Sequence, residues 1–379
     1  MIILRGSDIK MPTPCALAMG KFESIHLGHQ GLISQMKRSA HGLPTALLVF
    51  SPNPYKVLHD PAYNPLFTDD ERGYLVARQG VDYLLEYPFD AKLANLSPKD
   101  FCNKIYNDLQ ARIVVVGEGY HFGQGRTGTA DTLRKSAKAY GATVCEVAHI
   151  GEGETLLAQD YPNTTSQTLS NDTTYADPQN TFSKASTSTI RTLLADGKTK
   201  EAQQLLGFPY FVMGQVTPGL KLGRTIGFPT LNLYPPQDSI HGKFLPPDGV
   251  YATRTVIMSG KKQYPGNQAR DNATHTNNIV YTDETTYQSI TNIGLRPTIY
   301  GTTKTRSVET HLLEYNQEPA GSPIHNKNHD GRQSYNEELY GKQIRVEFSR
   351  FIRPEQRFES LEALREQILI DIQGANIWL

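Results

Sequence analysis

The chain has 379 residues, and its 38 lysine and arginine side chains balance 38 aspartate and glutamate side chains. This zero net charge argues against a general nucleic-acid coat or a polybasic membrane anchor. The apolar runs are too short to cross a bilayer, and the three cysteines are too widely spaced for a disulfide framework or a zinc site. The length predicts two domains, at ~100–200 residues each, in a cytoplasmic protein.

Residues 1–150 alternate between short apolar runs and segments in which apolar residues have helical spacing. Ser97 and Pro98 mark the start of one helix, because serine caps helices and proline suits their first turn. The alternation predicts a parallel sheet that is covered by helices on both faces. The predicted strands are 15–19, 45–50, 81–87, 111–117 and 143–150, and the predicted helices are 29–38, 97–110 and 129–140.

From residue 208 onward the apolar residues recur with period two, for example at 308–312 and 344–348. Helical spacing returns only at 360–373, so we expect an antiparallel β-domain that is closed by a C-terminal helix. A helical stretch at 189–207 joins the two parts. The predicted domains are 1–200 and 208–379.

Three segments of the chain are strongly polar. Such a composition does not bury enough apolar surface to order itself, so we interpret all three as surface loops. They are residues 158–182, 259–286 and 316–337.

The stretch GKFESIHLGH (20–29) lies between the first predicted strand and the first predicted helix. In an open α/β sheet, such a loop meets ligands at the carboxyl edge of the strands, and the next helix begins with a partial positive charge. Gly28 lets the backbone approach a ligand, and His26 and His29 are placed to donate to phosphate oxygens during group transfer. Taken alone, the two histidines are better explained as ordinary surface residues.

The stretch GLKLGRTIGFPTLNL (219–233) is a second candidate phosphate site, because its glycines allow backbone N–H groups to wrap phosphates. Thr230 and Asn232 follow two apart on a predicted strand and therefore share one face. A hydroxyl and an amide oxygen suit Mg²⁺ that carries nucleotide phosphates. A glycine-rich turn into an ordinary strand is the alternative interpretation. The loop residues concerned are Gly219, Lys221, Gly223, Arg224 and Gly227.

A third pattern spells GxGxxG with Gly123, Gly125 and Gly128, and Glu146 follows about 20 residues later, as in dinucleotide-binding loops. That fingerprint should open directly from its strand, whereas residues 118–122 intervene here. An NAD-dependent enzyme is therefore a distant alternative.

GKFESIHLGH resembles the GxFDGxHxGH stretch of the nucleotidyltransferases, in the branch of the FAD synthetases. STSTIR (186–191) resembles the second phosphate motif of that family, SSTxxR, and VGEGYHFGQGRTG (116–128) resembles its VGxDFxFGxxRxG segment. The resemblance implies a doubly wound, Rossmann-like domain in which His26 and His29 are catalytic contacts to ATP phosphates. It also implies ATP contacts at Gly20, Phe22, Gly28, Ser186, Thr187 and Arg191.

The glycine-rich stretch at 219–233 resembles the riboflavin kinase motif GRxxGFPTAN, with Leu231 in place of the usual alanine. The likeness continues through NIGLRPTIYG (292–301), SVETHLLEY (307–315) and the closing segment 340–372. It implies an antiparallel β-barrel in which Glu309 is the catalytic base that accepts the proton of a primary alcohol. It also implies phosphate contacts at Gly219, Lys221, Gly223 and Arg224, and Mg²⁺ ligands at Thr230 and Asn232.

Together the motifs resemble the bacterial bifunctional riboflavin kinase/FAD synthetase family over nearly the whole chain outside the three polar segments. The implied activity phosphorylates riboflavin to FMN with ATP, then adenylates FMN to FAD with a second ATP and releases pyrophosphate. The expected partners are these small molecules, with Mg²⁺ as the cofactor and without nucleic acid or membrane. The oligomeric state stays open.

Some positions depart from the motifs of the first domain. Lys21, Glu23 and Ser24 stand where the family has Asn, Asp and Gly, and Gly119 stands where it has Asn or Asp. The second phosphate motif reads Ser-Thr-Ser in place of Ser-Ser-Thr. An alternative hypothesis is therefore a riboflavin kinase whose N-terminal domain only binds nucleotide or flavin.

Overall fold

The structure is a computed structural model, and it divides the chain into two units by its internal contacts. The first unit comprises Met1–Thr187 and Lys261–Val280, and the second comprises Ser188–Gly260 and Tyr281–Leu379. The domain boundaries at 200 and 208 stay a prediction. The described residues are 1–148, 185–219, 222–236, 242–259, 262–263, 275–279, 282–297, 304–313 and 338–376.

The first unit contains a mixed sheet and the helices that cover it. Its strands are β1 (Ile2–Arg5), β2 (Cys15–Met19), β3 (Thr45–Ser51), β4 (Tyr83–Pro88), β5 (Ala111–Gly117), β6 (His121–Phe122), β7 (Gly128–Thr129) and β8 (Thr143–Val147). Its helices are α1 (Leu27–Ser39), α2 (Pro54–Leu58), α3 (Asp69–Arg78), α4 (Ala91–Ala94), α5 (Pro98–Asn103) and α6 (Ala130–Ala137).

The second unit begins within α7 (Thr187–Ala195), whose first residue belongs to the first unit. Its other helices are α8 (Thr199–Leu206), α9 (Leu222–Thr225) and α10 (Leu361–Asn376). Its strands are β9 (Phe211–Gln215), β10 (Leu231–Leu233), β11 (Gly249–Ser259), β14 (Thr282–Pro297), β15 (Lys304–Leu312) and β16 (Gln343–Pro354). Between β11 and β14, the strands β12 (Lys262–Gln263) and β13 (His275–Ile279) belong to the first unit.

The large sheet of the first unit has the strand order β12-β13-β1-β4-β3-β2-β5-β8. The strands from β1 to β8 in this order run parallel, and β2 is buried along its whole length, as expected for a central strand. The chain leaves β2 toward β3 on one side and later returns to β5 on the other. The order therefore reverses at β2 and β5, so the loop after β2 lies at a topological switch point, where open α/β sheets bind ligands.

The predicted strands and helices of the first unit are confirmed, and the predicted α/β class with them. The helix predicted at 97–110 begins at Pro98 and is capped by the Ser97 hydroxyl, which accepts a hydrogen bond from Asp100 N at 3.1 Å. Its second half has a different geometry, because residues 104–108 form a π-type turn, which is wider than an α-helical turn. The elements β1, α2 and α3 had no prediction.

The second unit is an antiparallel barrel with the strand order β10-β15-β14-β11-β16-β9. A bridge between Thr217 and Asn232 joins the chain after β9 to β10 and nearly closes the ring. Ala375 of α10 packs against Ala252 and Ile290 on one face of the sheet. The predicted antiparallel β-barrel with a C-terminal helix is therefore confirmed.

The interpretation of 259–286 as a surface loop is wrong in part. β13 pairs antiparallel with β1, with Ile3 opposite Asn277, and β14 begins at Thr282. Backbone hydrogen bonds to an open sheet edge order a strand whatever its side chains are, so polar composition alone misled the prediction. The other two polar segments, 158–182 and 316–337, lie outside the described residues. Within the described part of the chain, no helix is long and apolar enough to cross a membrane.

Candidate active sites

The loop between β2 and α1 has a constrained backbone. Phe22 and Ile25 have positive φ angles of 42° and 47°, and both side chains are fully buried. This conformation is uncommon for any residue with a side chain and is a genuine outlier for β-branched isoleucine. Such backbone strain persists only where the surroundings hold it, and it clusters at ligand sites.

His26 and His29 are brought together at the first turn of α1. His26 caps the helix, because its Nδ1 accepts a hydrogen bond from the backbone N of His29 at 3.3 Å. The two imidazole rings stack with centroids 3.8 Å apart, and the Phe22 ring lies 5.0 Å from the His29 ring. A Cβ on Gly28 would come within 3.1 Å of the His26 ring, so glycine permits the close packing.

The surroundings of the His29 ring favour its neutral form. Burial of the ring is the larger cause and the nearby His26 the smaller cause of a pKa of His29 well below its usual 6.5. Its Nδ1 is enclosed and has no hydrogen-bond partner among the described residues, which is costly in a protein interior. An anionic ligand bound beside the ring would favour its protonated form, because a neighbouring negative charge raises the pKa of histidine.

Glu23, one of the departures from the family motif, anchors the same loop. Its buried carboxylate accepts hydrogen bonds from Asn53 Nδ2 at 2.6 Å, Tyr63 Oη at 2.9 Å and Leu66 N at 3.1 Å. These donors come from the segment that follows β3, the neighbour of β2 in the sheet. The longer carboxylate therefore ties the loop to the adjacent connection, a role that the motif alone did not reveal.

The second phosphate motif is divided between the units. Ser186 and Thr187 belong to the first unit, and the Thr187 hydroxyl lies 3.0 Å from the Ser24 hydroxyl. Arg191 belongs to the second unit, where its guanidinium lies 4.9 Å above the Phe244 ring. The structure thus joins the first motif to Thr187 within one unit, and the role of Arg191 stays a prediction.

The GxGxxG pattern does not form a dinucleotide-binding loop in the structure. Gly128 begins β7, which pairs with β6 in a separate two-stranded ribbon that stands between β5 and α6. Glu146, the acidic residue of the pattern, accepts from Arg134 at 2.7 Å and from Gly119 N at 3.3 Å. Neither feature suits a nicotinamide dinucleotide, whose ribose needs that carboxylate as a hydrogen-bond acceptor.

In the barrel, the strand register places Glu309 between two asparagines. Glu309 of β15 lies directly opposite Asn232 of β10 on one side and Asn292 of β14 on the other. Residues that face each other across antiparallel strands point to the same side of the sheet, so the three side chains form one row. Glu309 also accepts from Ser307 Oγ at 3.4 Å, and Asn292 Nδ2 donates to Glu355 Oε1 at 3.0 Å.

The glycine-rich loop packs against this row. A Cβ on Gly219 would lie 2.4 Å from the Asn232 carboxamide, and one on Gly223 would lie 2.2 Å from the Phe228 carbonyl oxygen. Both glycines therefore permit close backbone approaches. Asn232 is buried and its Nδ2 donates to the Thr230 carbonyl oxygen at 3.4 Å. Lys221 and the side chain of Arg224 lie outside the described residues.

His311 is a residue of this site that sequence reasoning did not assign. It lies two residues beyond Glu309 on β15, and its Nδ1 lies 2.7 Å from the Pro229 carbonyl oxygen. Its ring meets the Phe228 ring edge-on at 5.4 Å. Burial lowers the pKa of His311, which favours the neutral ring. The histidine thus fastens the loop before Thr230 to the strand of Glu309, and its place in the VExHLL motif was the available signal.

The first unit has a candidate phosphate turn at the switch point of its sheet. The second unit has a glycine-rich loop beside a carboxylate in its barrel. Together these features define a class of two-domain, nucleotide-dependent transferases. Residues 8–160 match the FAD synthetase family model, and residues 206–379 match the riboflavin kinase family model. The chain belongs to the family of bifunctional riboflavin kinases/FMN adenylyltransferases.

Relatives of known activity align over almost the whole chain. The bifunctional riboflavin kinase/FMN adenylyltransferase of Escherichia coli (strain K12) is 29% identical over 378 residues, covering 98% of this chain and 96% of the relative. The protein of the same name from Bacillus subtilis (strain 168) is 29% identical over 365 residues, covering 95% and 90%.

One solved structure has the same fold over both units. It is a macrolide-efflux protein from Streptococcus pneumoniae, and it superposes with a TM-score of 0.67 over 98% of this chain and 97% of its own. The sequence identity is 24%, so this similarity shows the shared fold alone.

Proposed function

We propose that the second unit transfers the γ-phosphoryl group of ATP to riboflavin, giving FMN, and that the first unit transfers AMP from a second ATP to FMN, giving FAD and pyrophosphate. The observation that carries this proposal is that the two family models match successive parts of the chain, one on the α/β unit and one on the barrel, and that each unit contains a candidate phosphate loop. The relatives with both activities also extend through both units.

In the kinase step, Glu309 accepts the proton of the riboflavin primary hydroxyl as that oxygen attacks the γ-phosphorus. A positioned carboxylate suits this role, and the flanking Asn232 and Asn292 fix its place in the row. Glycine at 219 and 223 lets the loop pack closely beside Asn232 and Phe228, and backbone N–H groups of this loop would hold phosphate oxygens. The hydroxyl of Thr230 and the amide oxygen of Asn232 are hard oxygen ligands of the kind that would hold Mg²⁺, which neutralises phosphate charge when bound.

In the adenylyl-transfer step, a phosphate oxygen of FMN attacks the α-phosphorus of ATP and pyrophosphate leaves. That oxygen is already anionic at neutral pH, so the attack requires no general base. Negative charge grows on the departing phosphates, and His26 and His29 at the N-terminus of α1 are placed to share it. The first unit thus works by charge stabilisation, while the second works by proton removal.

The alternative, a kinase with an N-terminal unit that only binds ligands, rests on the departures at Lys21, Glu23 and Gly119. The contacts of Glu23 favour the two-step reading, because they support the histidine loop. Incubation with riboflavin, ATP and Mg²⁺, followed by separation of the flavins, tests the choice. We expect FAD. FMN as the sole product supports the alternative, and the absence of both products refutes the proposal.

Replacing Asn232 with alanine should impair the use of Mg·ATP in the kinase step, because it removes an amide oxygen from the proposed metal site. We expect kcat/KM for ATP to fall about tenfold, equivalent to ~1.4 kcal/mol. Raising Mg²⁺ should restore only part of the activity. Conversion of FMN to FAD by the same variant is the internal control. Unchanged dependence on ATP and Mg²⁺ would show that Asn232 is not a ligand.

The Mg²⁺ requirement, the individual site residues and the cytoplasmic location stay predictions. The small-molecule partners follow from the proposed chemistry, since riboflavin, FMN and ATP are its substrates. No group of three or more His, Cys, Asp and Glu side chains suited to a metal occurs in the described part of the chain.

A further inference from the structure

We propose that Ser24 is a positioning residue for adenylyl transfer, and that it acts by orienting the Thr187 hydroxyl toward ATP. This inference rests on the proposed function of the first unit. Ser24 is fully buried, and its Oγ lies 3.0 Å from Thr187 Oγ1 across a sequence separation of 163 residues. The contact links the histidine loop directly to the second phosphate motif, and both residues lie in the first unit.

The link is a feature of this chain and not of the family motif. The motif has glycine at the position of Ser24, and glycine has no side chain that can reach Thr187. Ser24 therefore replaces a residue that leaves this space without a hydrogen-bonding group. A departure that sequence comparison reads as a loss is, in the structure, an added polar contact between two phosphate-binding segments.

The residues on both sides of Ser24 are anchored by hydrogen bonds. The preceding Glu23 carboxylate accepts bonds from three donors, and the carbonyl oxygen of the following Ile25 accepts from Gln30 Nε2 at 2.8 Å. Ser24 thus lies between two anchored residues in a loop of strained backbone. The Ser24 hydroxyl contacts Thr187, the first residue of α7, from this anchored position.

Either hydroxyl can be the donor in this contact, and the proposal takes Ser24 as the donor. Each hydroxyl donates one hydrogen bond and accepts up to two. If Ser24 donates to Thr187, the single proton of Thr187 remains available for a phosphate oxygen. Without Ser24, the Thr187 hydroxyl rotates freely and must be ordered when ATP binds. Removal of the serine hydroxyl should therefore weaken productive ATP binding and leave FMN binding unchanged.

The test is a double-mutant cycle on conversion of FMN to FAD, with Ser24→Ala, Thr187→Val and the double variant. We expect Ser24→Ala to lower kcat/KM for ATP about tenfold with KM for FMN unchanged. Because the serine acts through the threonine, Ser24→Ala should cause no further loss when Thr187 is already valine. Additive losses, or equal effects on ATP and FMN, would overturn the proposal.

Three controls separate this role from general stability. Ser39→Ala removes a half-buried hydroxyl that accepts from Gln35 at the other end of α1, and it should leave kcat/KM for ATP unchanged. Ser24→Gly removes the hydroxyl without adding atoms and should reproduce Ser24→Ala. Thermal unfolding and riboflavin phosphorylation should match the parent in every variant. A loss that follows the unfolding temperature instead would assign Ser24 a purely structural role.

The outcome remains distinct from the fate of the proposed function. If the parent forms FAD and Ser24→Ala is equally active, the positioning role is wrong while adenylyl transfer stands. If the parent forms no FAD, the proposal of adenylyl transfer is wrong. The affinity of the parent and the three variants for ATP is then measured by calorimetry. The orienting contact would still be supported if Ser24→Ala binds ATP more weakly than the parent, and if the double variant binds ATP no more weakly than Thr187→Val alone. Unchanged affinity would reject it.

Discussion

Replacing Glu309 with glutamine should slow phosphorylation of riboflavin by ~10²–10⁴-fold, the usual contribution of a general base. Glutamine keeps the shape of glutamate and removes the proton acceptor. The row formed with Asn232 and Asn292 is set by backbone register, which a side-chain change on β15 does not alter. The measurement is the rate of FMN formation from riboflavin and ATP at saturating Mg²⁺.

The same variant should convert FMN to FAD at nearly the parent rate, because that step uses an anionic phosphate oxygen as the nucleophile. Glu347→Gln is the matched control. It neutralises another acid of the barrel, one that bonds to Arg254 at 2.7 Å and Arg345 at 2.8 Å. We expect it to lower the unfolding temperature without the specific loss of kinase chemistry. Equal losses in both steps for Glu309→Gln would mean that the glutamate is structural or that the two sites are coupled.

Much of the fold could be predicted because burial leaves a periodic mark on the sequence. CALAM is apolar throughout, and it forms a strand that is buried on both faces. Val308, Thr310 and Leu312 alternate with more exposed residues, and all three are buried in the barrel. The Ser97 cap could also be predicted, because the start of a helix depends on residues that are neighbours in sequence.

The strand β13 was not predictable in this way. Its sequence, HTNNI, has no apolar face to bury, and it is ordered by backbone pairing with β1, far away in the chain. Periodicity reports how side chains partition between core and solvent. It carries no information about which unpaired sheet edge a polar segment will meet.

The candidate sites divide along the same line. The residues that occupy recognisable motifs, such as His29 and Glu309, could be named from the sequence. The contacts that support these motifs could not be named, because Ser24 meets Thr187 and Glu23 meets Tyr63 only after the chain has folded. His311 belonged to a motif, but its contact with the Pro229 carbonyl oxygen depends on the path of the loop before β10.

Replacing His29 with alanine should lower the rate of FAD formation by ~10²–10³-fold, the typical cost of one lost donor to a transition-state charge. The substitution is unusually clean, because the cap of α1 uses the backbone N of residue 29 and the side chain of His26. Alanine keeps that hydrogen bond. It removes a half-buried imidazole that contacts the His26 and Phe22 rings but takes no part in the cap, so we expect only a small loss of stability. The measurement is the rate of FAD formation from FMN and ATP.

His26→Ala provides the informative comparison, because it removes an imidazole and the helix cap together. A lost cap typically costs ~1 kcal/mol, so this variant should lose both activity and unfolding temperature, whereas His29→Ala should lose activity alone. His41→Asn changes a histidine beyond the end of α1, at a φ of 48° that asparagine tolerates, and should match the parent. FMN formation should be intact in all three variants. Normal FAD synthesis by His29→Ala would remove His29 from the mechanism and leave charge stabilisation to His26 and the N-terminus of α1.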